Sequence, residues 1–312
     1  MTAPATALPI ERCSRNVCLV RPASFGFNAQ TAATNVFQSA EGTATAAGLA
    51  VAEFDVLVQQ LRHAGIGVCV VDDSPEPPKP DAVFPNNWVS FHADGTVVLY
   101  PMLTVNRRAE RRIDLIEQVC AQLGFEIRRQ IDLSHFETQG RYLEGTGSLV
   151  LDHRQRIAYA NRSARTDEGL VRHWCQIMDY EPLVFDAATP DGLPVYHTNV
   201  LLWIGERSAG VGLEWIAAHD RDRVLTSLQA SGRSVALLPG AALQQFAGNM
   251  LELRSHSGGT VLVMSASAAA ALPVATLAQL RERSDALCIA AVPTIERIGG
   301  GSVRCMLAEV PT

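Results

Sequence analysis

Near the end of the chain, one cysteine stands behind three glycines: Gly299-Gly300-Gly301-Ser302-Val303-Arg304-Cys305. Glycines let the backbone take positive φ and approach a ligand closely, so a thiol held just beyond them can be both rigid and reachable. The thiolate is the nucleophilic form, and from a reference pKa of ~8.5 it needs cationic neighbours or hydrogen bonds to persist at neutral pH. Such a cysteine works with a histidine and an orienting acid supplied from elsewhere in the chain. His197 follows Asp191-Gly192-Leu193-Pro194-Val195-Tyr196 and precedes an apolar run, at the mouth of a buried strand. His63, His153, His173 and His219 lie in polar or helix-end contexts and read as surface residues. Glu144, between the pair Tyr142-Leu143 and the turn Gly145-Thr146-Gly147, is the best candidate acid. Arg162 and Arg165 follow a β-like run, and a guanidinium is a planar fork that matches a carboxylate. Asn86 and Asn87 sit side by side in Pro80-Asp81-Ala82-Val83-Phe84-Pro85-Asn86-Asn87-Trp88, too polar for a core strand and too apolar for a plain surface loop. Singly, each has a plain alternative: a structural cysteine, a satisfied core histidine, a solvated glutamate, two surface arginines.

Positioning these residues takes many short elements. Runs, most of them four to seven residues long and rich in Val, Leu and Ile, read as strands at 17–20, 67–71, 88–91, 97–100, 125–128, 149–151, 157–160, 183–185, 200–204, 234–237, 250–253, 260–264, 286–291 and 303–309. Amphipathic helices lie between them. Phe54, Leu57, Val58 and Leu61 form one stripe at helical spacing, and Ile116, Val119, Cys120 and Leu123 form another. Leu170, Val171 and Trp174 begin a third; Leu243, Phe246 and Ala247 form a fourth; Pro273 opens a fifth. Gly65, Gly124 and Gly232 read as C-terminal caps. The Pro-rich run 74–80 is short enough to be a loop, so the pattern predicts one α/β domain over 1–312, with 1–14 as an N-terminal extension.

Composition removes several function classes. The chain is 47% hydrophobic and 19% charged with a net charge of −6, an ordinary globular balance without a basic stripe for nucleic acid or acidic membranes. The densest basic run, Arg107-Arg108-Ala109-Glu110-Arg111-Arg112, reads as a solvated helix start. The N-terminus lacks the pattern of a secretory signal, and no apolar run reaches the ~20 residues of a membrane span. Seven scattered cysteines suit free thiols in a reducing cytoplasm. Histidines and cysteines do not cluster at metal-ligand spacing, so neither a metal nor another cofactor is expected. The expected partner is a small molecule; a homo-oligomer is compatible with the sequence but not readable from it.

Together the motifs resemble the guanidine-modifying, pentein-fold enzymes: arginine deiminases, dimethylarginine hydrolases and amidinotransferases. They are "PDAVF" followed by two polar residues, "EGTGS", "SARTDEG", "YHTN" and "GGGSVRCM", in that order. The stretches "VRPASFGFNAQTAATNVFQ" and "FPNNWVSFH" look most like the bacterial branch associated with citrulline hydrolysis. The resemblance implies an α/β propeller of five units about a pseudo-fivefold axis. It further implies Cys305 as nucleophile, His197 as general acid/base and Glu144 as the acid contacting substrate and histidine. Arg165 would grip a substrate carboxylate, and Asp81 would lie near the bound amino acid. Asn28, Thr31, Asn35 and Gln38 either line the site or hold a loop, and the loop reading is preferred.

Two positions depart from the deiminase pattern: Asn87, with Asn86 before it, and Asn199 stand where relatives carry carboxylates. A guanidinium stays protonated, and burying it without a partner costs several kcal/mol. A ureido group is neutral and offers a carbonyl acceptor, which an amide can meet. The expected activity is therefore cysteine-dependent hydrolysis of citrulline to ornithine, ammonia and carbon dioxide, with Asn86, Asn87 and Asn199 holding the ureido group. The alternatives are an arginine dihydrolase or deiminase, an amidinotransferase, and a non-catalytic binding protein.

Overall fold

The computed structural model describes residues 13–311. Its described strands form five three-stranded sheets, each with one antiparallel and one parallel pairing. In the sheet built on Asn16–Arg21, Ala308–Val310 pairs antiparallel on one side and Gly67–Asp72 parallel on the other. The second joins Val89–Phe91, Thr96–Leu99 and Arg129–Asp132. The third joins Val150–Asp152, Ile157–Asn161 and Glu181–Phe185. The fourth joins Leu202–Ile204, Ser208–Val211 and Ser234–Leu237. The fifth joins Leu251–Arg254, Thr260–Ser265 and Ala286–Ala290.

A parallel pair needs a crossover, and each sheet has a helical one. They are Thr43–His63, Ile113–Leu123, Glu168–Met178, Ala218–Ala230, and the pair Ala266–Ala271 with Val274–Arg283. The first and third bury the apolar stripes their sequences predict, such as Phe54, Leu57, Val58 and Leu61, whereas the second buries Ile116 and Val119 and half-buries Cys120 and Leu123. Gly124 caps its helix in the left-handed conformation, and Gly65 and Gly232 take positive φ just past theirs.

Several boundaries differ from expectation. The third strand of the second sheet is Arg129–Asp132 rather than 125–128. Val303–Met306 is a 3₁₀ turn, and only Ala308–Val310 is strand. The stripe at Leu243 and Phe246 stops early, because the helix covers Gly240–Leu243 and Phe246 takes φ +61°. Most of the expected extension, residues 1–12, lies outside the described residues. Ser14, however, is buried, and its carbonyl accepts from the Arg254 N–H at 2.9 Å. Among the described residues no helix is long and apolar enough to cross a membrane.

The topology selects one end of the sheets for chemistry. The first strand of a sheet runs antiparallel to the central one, so its start lies beside the central strand's end, as Val89 pairs with Leu99. The segments entering first strands and leaving central strands therefore converge at one end, and the hairpin turns lie at the other. The entering segments carry short turns: Pro85–Asn87, Gly145–Ser148, Thr198–Val200 and Val303–Met306. The Gly145–Ser148 turn packs against Pro85–Asn87 and Thr198–Val200, and Pro85–Asn87 packs against Val303–Met306.

Candidate active site

The converging segments leave an open cleft, of about 260 Å³ counting space open to solvent, lined by Cys305, His197, Asn87, Arg165, Asp81 and Arg107, among others. Larger hollows of about 790 and 1110 Å³ lie around Cys13, His153 and Ile204, near the hairpin end. They hold neither Cys305 nor His197, so the smaller cleft is the one that brings the candidate nucleophile and base together.

Cys305 is buried on its 3₁₀ turn. Its sulfur accepts N–H groups from Asn249 Nδ2 at 3.2 Å and Asn199 Nδ2 at 3.4 Å. Hydrogen bonds of this kind suit a sulfur carrying negative charge. His197 Nε2 lies 2.9 Å from Glu144 Oε2. An ionised carboxylate only accepts, so the Nε2 atom carries the proton and Nδ1 keeps the free lone pair. Desolvation pulls His197 down to about 4 against the opposing pull of Glu144, leaving a neutral ring at neutral pH. Burial pushes Glu144 up, but Arg165, His197 and Arg107 together overcome that and hold it well below the usual carboxylate range. Gly147 makes room for this pairing: a Cβ there would lie 2.6 Å from Asn87 Nδ2 and 2.7 Å from His197 Nδ1.

The basic run 107–112 is not the solvated helix start expected. Val105–Glu110 is a 3₁₀ turn, whose three-residue period puts Arg107 and Glu110 on one buried side. Arg107 is 2% exposed and forks onto Glu110 through Nε at 2.9 Å and Nη2 at 2.8 Å. Its Nη1 donates to Asn87 Oδ1 at 2.8 Å. Asp81 and Glu144 lie within 3.8 and 3.9 Å of the same guanidinium. Burial pushes Glu110 up to about 7 even against Arg107. Burial opposes the charge on Arg107, and Glu110, Asp81 and Glu144 more than restore it.

Asn87 donates to Asn86 Oδ1 at 3.0 Å, and Asn86 Nδ2 is buried without a partner. Asn86 itself is not part of the cleft lining, and Asn199 turns its amide to the sulfur. Arg165 is largely engaged within the protein, donating to Thr31 O, Thr34 Oγ1 and Glu144 Oε2. Asp81 Oδ2 accepts from Asn28 at 2.6 Å and Thr31 at 3.1 Å, whereas Oδ1 has no partner. The segment of Asn28, Thr31, Asn35 and Gln38, for which the sequence leaves lining the site and holding a loop as alternatives, does both. Asn35 and Gln38 donate to the carbonyls of Gly300 and Gly299, and with Thr31 they also line the cleft. Lys79, buried and 3.2 Å from Asp73, donates to the Ser74 and Pro77 carbonyls and so ties down the Pro-rich loop ahead of Asp81.

Sequence reasoning missed Arg107, Glu110 and Asn249. Nothing in "RRAERR" marks one inward arginine, though the three-residue spacing to Glu110 is compatible with a 3₁₀ pair. A cluster of exposed His219, half-buried Asp186 and buried Asp220 brings its ligand-type atoms within 4.8 Å of one another. Its carboxylates already serve Arg162 and Arg223, so it reads as an ion-pair group.

A family model described as N,N dimethylarginine dimethylhydrolase, eukaryotic, matches residues 21–312. No curated protein matches the chain. Among solved structures, the apo form of ArgZ, an arginine dihydrolase from the ornithine-ammonia cycle in cyanobacteria, superposes with a TM-score of 0.74 at 15% identity. The match covers 95% of this chain and 40% of ArgZ, so this chain spans well under half of that protein. The N-terminal domain of ArgZ with bound substrate gives 0.73 at 15% identity, covering 95% of this chain and 98% of that one. DDAH from Pseudomonas aeruginosa, as a mutant complexed with citrulline, gives 0.64 at 12% identity, covering 95% and 99%. At these identities the structural likeness speaks for the fold.

Proposed function

The chain belongs to the N,N dimethylarginine dimethylhydrolase family, within the guanidine-modifying pentein superfamily, and on that premise we propose that it hydrolyses carbon–nitrogen bonds of an arginine-type amino acid and leaves ornithine. The observation that carries this reading is the cleft itself. It joins a sulfur held by two amide N–H groups, a neutral histidine oriented by an ionised glutamate, and fixed charges of both signs. Asp81 Oδ1, lacking a partner, suits a substrate ammonium, and Arg165, which lines the same cleft, suits its carboxylate.

Arginine is the first substrate on this reading, supported by the likeness to an arginine dihydrolase and to AgrE, a mutant of which is described in complex with L-arginine. Cys305 passes its thiol proton to His197 Nδ1 and attacks the guanidino carbon, and His197 hands that proton to the departing ammonia. Water, deprotonated by His197, then cleaves the carbon–sulfur bond and gives citrulline. A second attack at the ureido carbon expels another ammonia. Water frees the resulting carbamate, which loses carbon dioxide. Arginine and two waters thus give ornithine, two ammonia and carbon dioxide.

A second reading, direct use of citrulline, rests on Asn87. Arginine side chains only donate, so the end of the Asn87 amide facing Arg107 is its carbonyl. What Asn87 can offer a substrate is an N–H, which suits a ureido oxygen and opposes a guanidinium, itself all donors. The five sheets of one pattern also support a five-unit propeller forming a single domain.

Supplying purified protein with arginine, citrulline and N,N-dimethylarginine separately tests these readings. Ornithine from both arginine and citrulline, with twice the ammonia from arginine, is the expected result. Ornithine from citrulline alone selects the second reading. Citrulline accumulating as the end product from arginine overturns both, as does turnover persisting in Cys305→Ala.

A further inference from the structure

We infer that Asn249 is a catalytic residue, holding the Cys305 sulfur in its reactive form from behind the cleft. The inference rests on the reading of Cys305 as nucleophile and adds a residue that neither the motifs nor the family resemblance marks.

Topology is the first observation. Four of the segments that enter first strands place a residue near the sheet end, two or three positions ahead of the strand. These are Asn87 before Val89, Asn199 before Leu202, Asn249 before Leu251 and Cys305 before Ala308. Cys305 lines the cleft, Asn87 lines it beside Arg107, and Asn199 meets the sulfur. Asn249 is the fourth-sheet-to-fifth-sheet counterpart, and it arrives at the same atom, 3.2 Å from Sγ.

Amide orientation is the second. Asn249 Nδ2 also donates to the backbone carbonyl of Asn199 at 3.1 Å. A carbonyl oxygen only accepts, so the end of the amide at this corner is NH₂, and the same NH₂ faces the sulfur. The opposite end, Oδ1, is buried with no partner. An orphaned buried acceptor costs roughly 1–3 kcal/mol. A residue kept only for packing would be better served by an apolar side chain.

Backbone confinement is the third. Phe246 adopts φ +61°, and its carbonyl accepts the Asn249 N–H at 2.8 Å. A Cβ on Gly248 would fall 2.0 Å from Val200 O, so the chain passes here only as glycine. Asn249 is wholly buried, and neither it nor Asn199 lines the cleft. Both amides therefore donate from the protein side and leave the sulfur's cleft side open for attack.

The test measures iodoacetamide labelling of Cys305, read on its own peptide by mass spectrometry, alongside steady-state kinetics. Asn249→Leu removes the donor. Asn249→Asp keeps the shape and replaces the donor by an acceptor. Labelling of Cys305 at near-neutral pH should slow about tenfold or more in both, the loss expected for a hydrogen bond to a charged group. At alkaline pH, where the thiol ionises unaided, the rate should return to that of the wild type. The value of kcat should fall by a similar factor, with KM little changed. Labelling at near-neutral pH like the wild type in either folded variant overturns the inference. Equal slowing at both pH values, or failure of both variants to fold, assigns Asn249 a purely structural role and also overturns it. Cys305→Ala separates this from the underlying reading: if it retains turnover, the nucleophile assignment itself fails.

Discussion

Asn87 shows how much one hydrogen-bond partner alters a substitution. Seen in sequence, an aspartate at 87 would supply a carboxylate for a guanidinium. In the structure Oδ1 of Asn87 accepts from buried Arg107, so an aspartate there would pair first with that arginine. Its second oxygen would face Asn86 Oδ1, now 3.0 Å from the Asn87 amide nitrogen, and would repel it or turn the Asn86 amide. Asn87→Asp should therefore lower kcat/KM for citrulline by about tenfold or more, the worth of one lost hydrogen bond to a developing charge. It should raise kcat/KM for arginine by less than that factor, as parallel measurements on the two substrates would show. A large gain on arginine would mean that Arg107 leaves Asn87 when substrate binds. The sequence displayed Cys305, His197, Glu144, Asn87 and Asp81 because their neighbours form recognisable runs. It could not display Arg107, since burial of one arginine among four depends on which side of a 3₁₀ turn meets the protein.

Turns ahead of strands are the elements on which the site is mounted, and they are tighter than their sequences suggest. Gly147 belongs to the turn behind Glu144, and its missing side chain is the space that Asn87 and His197 occupy. Gly147→Ala would push both side chains outward by several tenths of an ångström or more while leaving the sheets intact. With His197 as the proposed acid/base, such a displacement costs on the order of 10²-fold in rate. The expected outcome is a kcat reduced by that order with a thermal midpoint within a few degrees of the wild type. A cooperative loss of fold together with activity would show that the turn is a core element instead. Strands that bury Val and Leu were legible, as at Asn16–Arg21 and Thr260–Ser265. The strand Arg129–Asp132 was not, because it is largely exposed at a sheet edge and is held by backbone pairing to Thr96–Leu99 rather than by apolar side chains. Phe125 drew the expectation to 125–128; it is buried, whereas Ile127 is exposed.

For the whole molecule, concentrating buried charge at one end of five sheets makes stability a function of pH with competing signs. His197 is lowered, from an ordinary 6.5 to about 4. Between those values the unfolded chain binds a proton that the folded protein refuses, so this contribution is present above 6.5 and lost as pH falls toward 4. Glu110 is raised, from 4.5 to about 7. Over that interval the folded protein keeps a proton that the unfolded chain has released, so its contribution is present below 4.5 and lost as pH rises toward 7. Each slope is about 1.4 kcal/mol per pH unit, and between 4.5 and 6.5 they nearly cancel. Glu144, held well below its ordinary 4.5, adds a loss only below that value. Wild-type stability, measured by urea unfolding, should therefore be nearly flat from 4.5 to 6.5 and fall on further acidification. Glu110→Gln removes one of the opposed terms and keeps a side chain able to accept from Arg107. Its stability should climb with pH across the flat interval, by about 1.4 kcal/mol per unit, whereas His197→Asn should show the reverse slope. Parallel profiles in all three proteins would mean that these two buried groups do not exchange protons with folding, and that Arg107 keeps Glu110 ionised throughout.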